Sequence, residues 1–211
     1  MRHHRLLSAL IVVAAGAVGW ACDGNSITTS DHGTVRVKMT DAPFPADSVD
    51  SVNVFVTRVD MRASAADSAA ADSAVATDSA SAHGWTTVAT PNHVYNLIEL
   101  QNGTSVDLGT TQVATGHYSG MRLVIDPSRS RVVLKNGTVL DGNSSPGVSF
   151  PSGSSSGLKI TTTGGFDVTA NDTTTLMLDF DLDQSFVVRG NTILQLGLLF
   201  KPVIVATVVA N

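Results

Sequence analysis

Asp179, Asp181 and Asp183 alternate with apolar residues in the stretch LMLDFDLDQSF. Carboxylate oxygens are the ligands that calcium prefers in proteins, so this spacing raises the question of a metal site. An EF-hand loop also begins Asp-x-Asp-x-Asp, but it needs Gly at its sixth position and Glu at its twelfth. Those two positions hold Gln184 and Gly190, so the EF-hand interpretation fails.

A strand over residues 173–183 would place the three aspartates on one face. The other face would hold Leu176, Leu178, Phe180 and Leu182, which predicts an apolar face in the core and an aspartate face outside it. Side chains four apart on a strand are separated by about 13 Å, so the first and third aspartates cannot share an ion. The first two, about 6.5–7 Å apart, can share one only if another segment supplies further ligands.

Two hypotheses follow for these aspartates. In the first, Asp179 and Asp181 form a structural calcium site completed by Asp41 or Asp126, although an Asp before Ala-Pro, as at Asp41, also suits a plain turn. In the second, which we favour, the aspartates are the polar face of a strand, partly neutralised by cations on neighbouring strands. The cations that suit this role are Arg122, Lys159 and Lys201.

The pattern GSSSG places Ser155 where some hydrolases carry their nucleophile. Such a nucleophile needs a strand before it and a helix after it, whereas here a Ser-Gly loop precedes a strand pattern. His117 is the best available base, but nothing in the sequence places it near Ser155. A serine hydrolase is therefore only a distant alternative, and we expect no enzyme. The sequence also contains no phosphate loop, no dinucleotide fingerprint and no metal-ligand spacing of histidines.

The composition predicts a β-rich domain. The chain has 211 residues, of which 15% are charged, and Val, Thr, Ser, Ala and Gly are abundant. Long helices usually carry more Glu, Lys and Arg, so strands are favoured. The net charge is -5 and no basic cluster follows the first few residues, which argues against nucleic acid as a partner.

The N-terminus predicts export and a lipid anchor. Arg2 and Arg5 precede an apolar run that ends at Ala21, which indicates a signal peptide over residues 1–21. Cys22 is the only cysteine, and its place after this run resembles the acylated cysteine of bacterial lipoproteins. Ordinary signal cleavage after Ala21, without a lipid, is the alternative.

The segments after the cysteine define the predicted domain organisation. Residues 22–32 are polar and predict a tether that joins the membrane to a β-sandwich domain over residues 33–209. Residues 63–83 are nearly all Ala, Ser and Asp, which predicts a disordered insertion because few side chains there can be buried. We therefore expect the chain on the periplasmic side of the cell envelope or on the cell surface, anchored through acylated Cys22.

Alternating apolar residues predict about nine strands. The first strand, GTVRVKMT, is half-buried, and the second is in phase at Val52, Val54 and Val56 but out of phase at Val59 and Met61. A bulge near Thr57 and Arg58 would restore the register. We predict a two-layer antiparallel sandwich, with a closed barrel as the alternative.

An ordered set of short motifs resembles one known family. The motifs are TDAP at residues 40–43, Gly-x-Tyr before an RL strand at 116–123, PSG followed by SGLKI at 151–160, LDFD with a following serine at 178–185, and LLFKPVI at 198–204. Together they resemble the domain of unknown function 4382 family, found in secreted and lipid-anchored prokaryotic proteins. The resemblance implies an immunoglobulin-like or prealbumin-like sandwich outside the cytoplasm, with no established activity.

These observations predict a non-enzymatic binding or adhesion module of the cell envelope, whose ligand is a polysaccharide or a protein. Trp85 and Tyr118 could stack on a sugar, although packing in the fold explains both equally simply. The alternative is a structural subunit of an envelope assembly. No cofactor is expected beyond the structural calcium of the first hypothesis.

Overall fold

A computed structural model describes residues 31–42, 47–64, 84–151 and 156–210 of the chain. The predicted signal peptide, Cys22 and the tether up to residue 30 lie outside the described residues. So do residues 65–83 of the predicted insertion. The insertion's first residue, Ala63, is the last residue of a strand. No helix in the described part of the chain is long and apolar enough to cross a membrane.

The described residues form fifteen strands and four short helical turns. The strands are β1 His32–Asp41, β2 Val49–Ala63, β3 Trp85–Ala89, β4 His93–Asn96, β5 Val106–Ala114, β6 Gly116–Ile125, β7 Arg131–Leu134, β8 Val139–Leu140, β9 Val148–Ser149, β10 Leu158–Thr162, β11 Phe166–Val168, β12 Thr173–Phe180, β13 Phe186–Val188, β14 Leu198–Phe200 and β15 Ile204–Val209. The turns are the 3₁₀ segments Leu97–Leu100 and Pro127–Arg129 and the α-helical segments Leu182–Ser185 and Ile193–Leu196.

Twelve strands belong to one sheet that folds back on itself. Its order is β5-β1-β12-β15-β10-β6-β2-β7-β8, with β11 also paired to β6 and with β3 and β4 paired to β2. The sheet folds at β10. This strand pairs with β6 through its first three residues and with β15 through its last two. One core contains buried side chains from both halves of this sheet. A second sheet, β13-β14-β9, adds to it.

The prediction of an all-β chain is confirmed, and its two sheets form a sandwich-like arrangement. The count of about nine strands is too low, because the described residues form fifteen strands, five of which have only two or three residues. Most strand pairs are antiparallel, as predicted, but β1 with β12, β10 with β15 and β14 with β9 are parallel pairs. These pairs join distant parts of the chain, so local turn signals carried no information about them.

Within the described residues, the sheet does not close into the barrel considered as the alternative. Strands β3 and β5 run near each other at the open side but are not hydrogen-bonded neighbours. A cavity of about 290 Å³ lies between them, lined by residues 87–90 and 108–111. Gly109 permits this approach, because a Cβ there would lie 3.0 Å from the Cβ of Ala89.

The predicted bulge in β2 is confirmed. The pairing of β2 with β6 shifts register between Val56 and Arg58, which leaves Thr57 as the extra residue. The shift allows Val56 and Val59 both to be fully buried although they are three residues apart. Without it, the second half of β2 would turn its apolar side chains to solvent.

Candidate functional site

Three aspartates meet where β1 and β12 end, and we call Asp41, Asp179 and Asp181 the aspartate corner. The two strands are parallel neighbours whose register places Asp41 opposite Phe180. The strand predicted over residues 173–183 ends at Phe180, so Asp183 is not on it. Asp181 instead precedes a helical turn, yet Leu182 is fully buried, as the alternation predicted.

Asp41 is the buried member of the aspartate corner, with 3% of its surface exposed. Its Oδ1 accepts a hydrogen bond from the backbone N–H of Leu182 at 3.3 Å, and its Oδ2 accepts one from Nε2 of Gln101 at 3.2 Å. Burial raises the pKa of this carboxyl from 3.8 to about 7, assisted by the nearby charges of Asp179 and Asp181 and opposed by the two hydrogen bonds. Asp41 therefore connects three segments of the chain. Its raised pKa means that it becomes protonated at a higher pH than an ordinary aspartate.

Asp181 caps the helical turn Leu182–Ser185. Its Oδ1 accepts from the backbone N–H of Gln184 at 3.0 Å, and its Oδ2 accepts from the side-chain amide of the same residue at 2.5 Å. The hydroxyl of Ser185 donates to the carbonyl of Asp181 and accepts from the N–H of Val203 at 2.9 Å. Both carboxylate oxygens of Asp181 thus have structural partners, and the turn is fixed to the closing segment of the domain.

Asp179 is exposed, and among the described strands no cation lies opposite it. Its register partners are Thr40 on β1 and Val205 on β15. Partial desolvation of its carboxyl by the surrounding protein, and then the charge of Asp181, raises the pKa of Asp179 although the residue is exposed. The prediction that Arg122, Lys159 or Lys201 would lie across from the aspartates is therefore wrong for Asp179.

The structure places Asp126 in a turn that follows β6. Its carboxylate accepts from the backbone N–H of Ser128 at 3.0 Å and from the hydroxyl of the same residue at 2.6 Å, which caps the turn Pro127–Arg129. Within the described residues, no group of three or more His, Cys, Asp or Glu side chains is arranged to hold a metal ion. The calcium site of Asp41, Asp126, Asp179 and Asp181 stays a prediction.

The structure does not test the hydrolase alternative. Ser155 lies outside the described residues. Nδ1 of His117 lies 2.8 Å from Oδ1 of Asp167, in a partly exposed pair on neighbouring strands. Tyr118 packs in the core, where its ring stacks on Phe166 and its hydroxyl donates to the carbonyl of Ala114. Packing therefore accounts for Tyr118.

A second polar cluster surrounds Asp60 on the outer face of β2, and the sequence analysis missed it. Asp60 is 1% exposed although its neighbours Val59 and Met61 face the core on the opposite side. Its carboxylate accepts from Nε of Arg58 at 3.1 Å, from Nε of Arg122 at 2.8 Å and from the hydroxyl of Thr87 at 2.8 Å. Two guanidiniums therefore neutralise one buried carboxylate.

The ring of Trp85 contacts two guanidiniums, one of which, Arg122, also binds this carboxylate. The Cζ of Arg122 lies 4.4 Å from the centre of the Trp85 ring, and the Cζ of Arg62 lies 5.4 Å from it. Such distances are those of cation–π contacts. Lys159 pairs in register with Arg122, so its side chain starts on the same face. We call the set Arg58, Asp60, Arg62, Trp85, Arg122 and Lys159 the arginine platform.

A signal for the arginine platform is present in the sequence. Arg58, Asp60 and Arg62 alternate with the buried Val59 and Met61, so all three belong to the outer face of β2. The contributions of β3, β6 and β10 come from distant parts of the chain and follow only from the pairing of strands.

Comparison with known proteins gives one match. A family model described as a domain of unknown function, DUF4382, matches residues 32–197. No curated protein and no solved structure matches the chain. The matched range begins at β1 and ends beside β14, so it includes both the aspartate corner and the arginine platform.

Proposed function

The chain belongs to the DUF4382 family, and we propose that it is an exported, lipid-anchored binding or adhesion module of the bacterial cell envelope. In this proposal Cys22 carries the lipid, residues 22–32 form the tether, and the domain presents an outer sheet face to a polysaccharide or a protein. The domain has no enzymatic role and carries the immunoglobulin-like or prealbumin-like character that the motifs imply.

The arginine platform is the observation that carries this proposal. The buried carboxylate of Asp60 fixes Arg122, which in turn lies over Trp85, so the surface is held in one arrangement before a ligand arrives. Pre-organised aromatic and cationic side chains are typical of recognition surfaces, because little side-chain entropy is lost on binding. The carboxylates of Asp41 and Asp181, in contrast, accept hydrogen bonds within the fold, which supports a structural role for these two aspartates.

A structural subunit of an envelope assembly is the second candidate. The observation that favours it is an apolar surface around the edge strand β13 and the turn that follows it. Four side chains there are 43–58% exposed, namely Val187, Val188, Leu194 and Leu196. Exposed apolar side chains next to an open strand edge suit contact with another protein.

The anchor and the binding role are tested separately. The intact mass of the chain purified from bacterial membranes tests the anchor: we expect a chain that begins at Cys22 and carries acyl groups, and a chain that starts there without lipid would contradict it. Cys22→Ser should release the protein from the membrane fraction.

A stoichiometric complex that survives Trp85→Ala but not Leu194→Asp would favour the structural subunit over the binding module.

A further inference from the structure

We propose that the arginine platform binds an acidic polysaccharide, one whose sugars carry carboxylate groups. This inference rests on the proposed binding role and names the ligand class. It does not depend on the lipid anchor, so the anchor and the binding of an acidic polysaccharide can each be disproved without the other.

The charge of the arginine platform favours an anionic ligand. The arginine platform contains four cations and one carboxylate, Asp60, which pairs with two of them, so the platform carries three net positive charges. The four cations are Arg58, Arg62, Arg122 and Lys159. The whole chain has a net charge of -5, so this face differs in sign from the rest of the molecule. A local field of this kind attracts anions and lowers the cost of placing them there.

Two of the four cations have no carboxylate partner among the described residues. In the part of the chain that the structure describes, no carboxylate forms an ion pair with Arg62 or Lys159, and both are exposed. Arg62 has only the Trp85 ring as its partner there. A guanidinium in this state can bind a carboxylate through two parallel N–H donors.

The aromatic ring of Trp85 favours a sugar over a simple anion. Trp85 is half-buried and lies on the outer face rather than in the core. The apolar face of a sugar ring can pack on the part of the indole that Arg62 and Arg122 leave uncovered, while the hydroxyl and carboxylate groups at its rim meet the surrounding cations. A carboxylated sugar meets both features at once, whereas a simple inorganic anion would use only the cations.

The shape of the surface favours a chain-like ligand over a membrane. Arg58 and Arg62 are four residues apart on β2, so the cations extend over about 13 Å along the strand direction. The face is the side of a sheet with partners paired on either side of it, and not an end of the sandwich. An extended polymer can follow such a row of charges.

The experiment measures binding of the full chain, carrying Cys22→Ser and Trp20→Phe, to polygalacturonate in mild detergent. Trp85 is then the only tryptophan, and its fluorescence reports the site directly. We expect saturable binding that weakens as the salt concentration rises to about 0.5 M. Arg62→Gln with Lys159→Gln should weaken binding about tenfold or more. The matched control, Arg131→Gln with Lys135→Gln, removes two exposed cations elsewhere and should leave binding unchanged.

Three results would overturn the inference. One is equal binding of neutral dextran, which would show that charge is not recognised. Another is unchanged binding by the Arg62 and Lys159 double variant, which keeps Asp60 and its two partners and should fold normally. The third is a Trp85 response to phosphatidylglycerol vesicles with none to polygalacturonate, which would assign the face to lipid head groups. Loss of acylation in a chain that still binds would instead count against the anchor alone.

Discussion

Oδ1 of Asp41 accepts a hydrogen bond from the backbone N–H of Leu182, although 141 residues separate the two in the chain. The bond is buried, and it connects the end of the first strand to the turn that follows β12. Two of the motifs that carry the family resemblance, TDAP and LDFD, therefore meet in space. Asp41 connects these distant segments, whereas Asp181 caps the turn that Asp41 holds in place.

Replacing Asp41 with asparagine should change how stability depends on pH. The folded pKa of about 7 lies above the ordinary value of 3.8. Asp41 therefore favours the folded state at pH values below about 4, and this contribution is lost as the pH rises towards 7. The asparagine side chain is neutral at every pH and can still accept from Leu182. Urea unfolding at several pH values should show a decline between pH 4 and 7 that is smaller in Asp41→Asn by about 2–4 kcal/mol.

Asp183→Asn is the matched control for this pH measurement. Asp183 is exposed and lies two residues from Asp181, so the change removes one acidic group near the same corner. It should leave the pH dependence close to that of the unmodified chain. An identical slope in Asp41→Asn and the unmodified chain would show that burial does not control the protonation of Asp41.

Removal of the cap at Asp181 should lower stability by a moderate amount. Asp181→Ala deletes both hydrogen bonds to Gln184 at the start of the turn, and loss of a cap costs about 1 kcal/mol. Asp181→Asn keeps an acceptor oxygen and should cost less. The measurement is the free energy of unfolding in urea at neutral pH. Equal losses in the two variants would argue that the charge, and not the cap, is what stabilises the turn.

Loss of the Asp60 carboxylate should lower the free energy of unfolding far more than loss of an exposed carboxylate that also pairs with an arginine. Asp60→Ala leaves Arg58 and Arg122 without their shared anion and should cost about 2–4 kcal/mol. The comparison is Asp107→Ala, because Asp107 pairs with Arg36 at the surface, where ion pairs contribute about 0–1 kcal/mol. Chemical denaturation of both variants gives the two values. A loss as small as that of Asp107→Ala would contradict a buried anchor beneath the arginine platform.

The sequence predicted those elements that depend on local alternation. Val35, Val37 and Met39 are all fully buried on one face of β1, as the period of two required. The bulge at Thr57 was predictable because the apolar phase changes within one strand. The break after Phe180 was not, because Leu182 satisfies the strand pattern and the helical turn equally well.

Contacts between distant segments account for what the sequence did not predict. The parallel pairing of β1 with β12 carries no turn signal, since the two strands lie far apart in the chain. For the same reason the neighbours of Asp179 could not be assigned, and Arg122 was assigned to the wrong aspartate. Its partner is Asp60, which the position of β6 beside β2 determines.

A thermal melt of the full chain in millimolar calcium and in EDTA tests most directly whether the aspartate corner stabilises the fold through hydrogen bonds and does not bind a metal. Because both carboxylate oxygens of Asp181 accept hydrogen bonds from Gln184, we predict the same midpoint in both solutions. Asp181→Asn should shift the two curves equally. A midpoint that calcium raises by several degrees, with the gain lost in Asp181→Asn, would contradict the account and make the corner a calcium site.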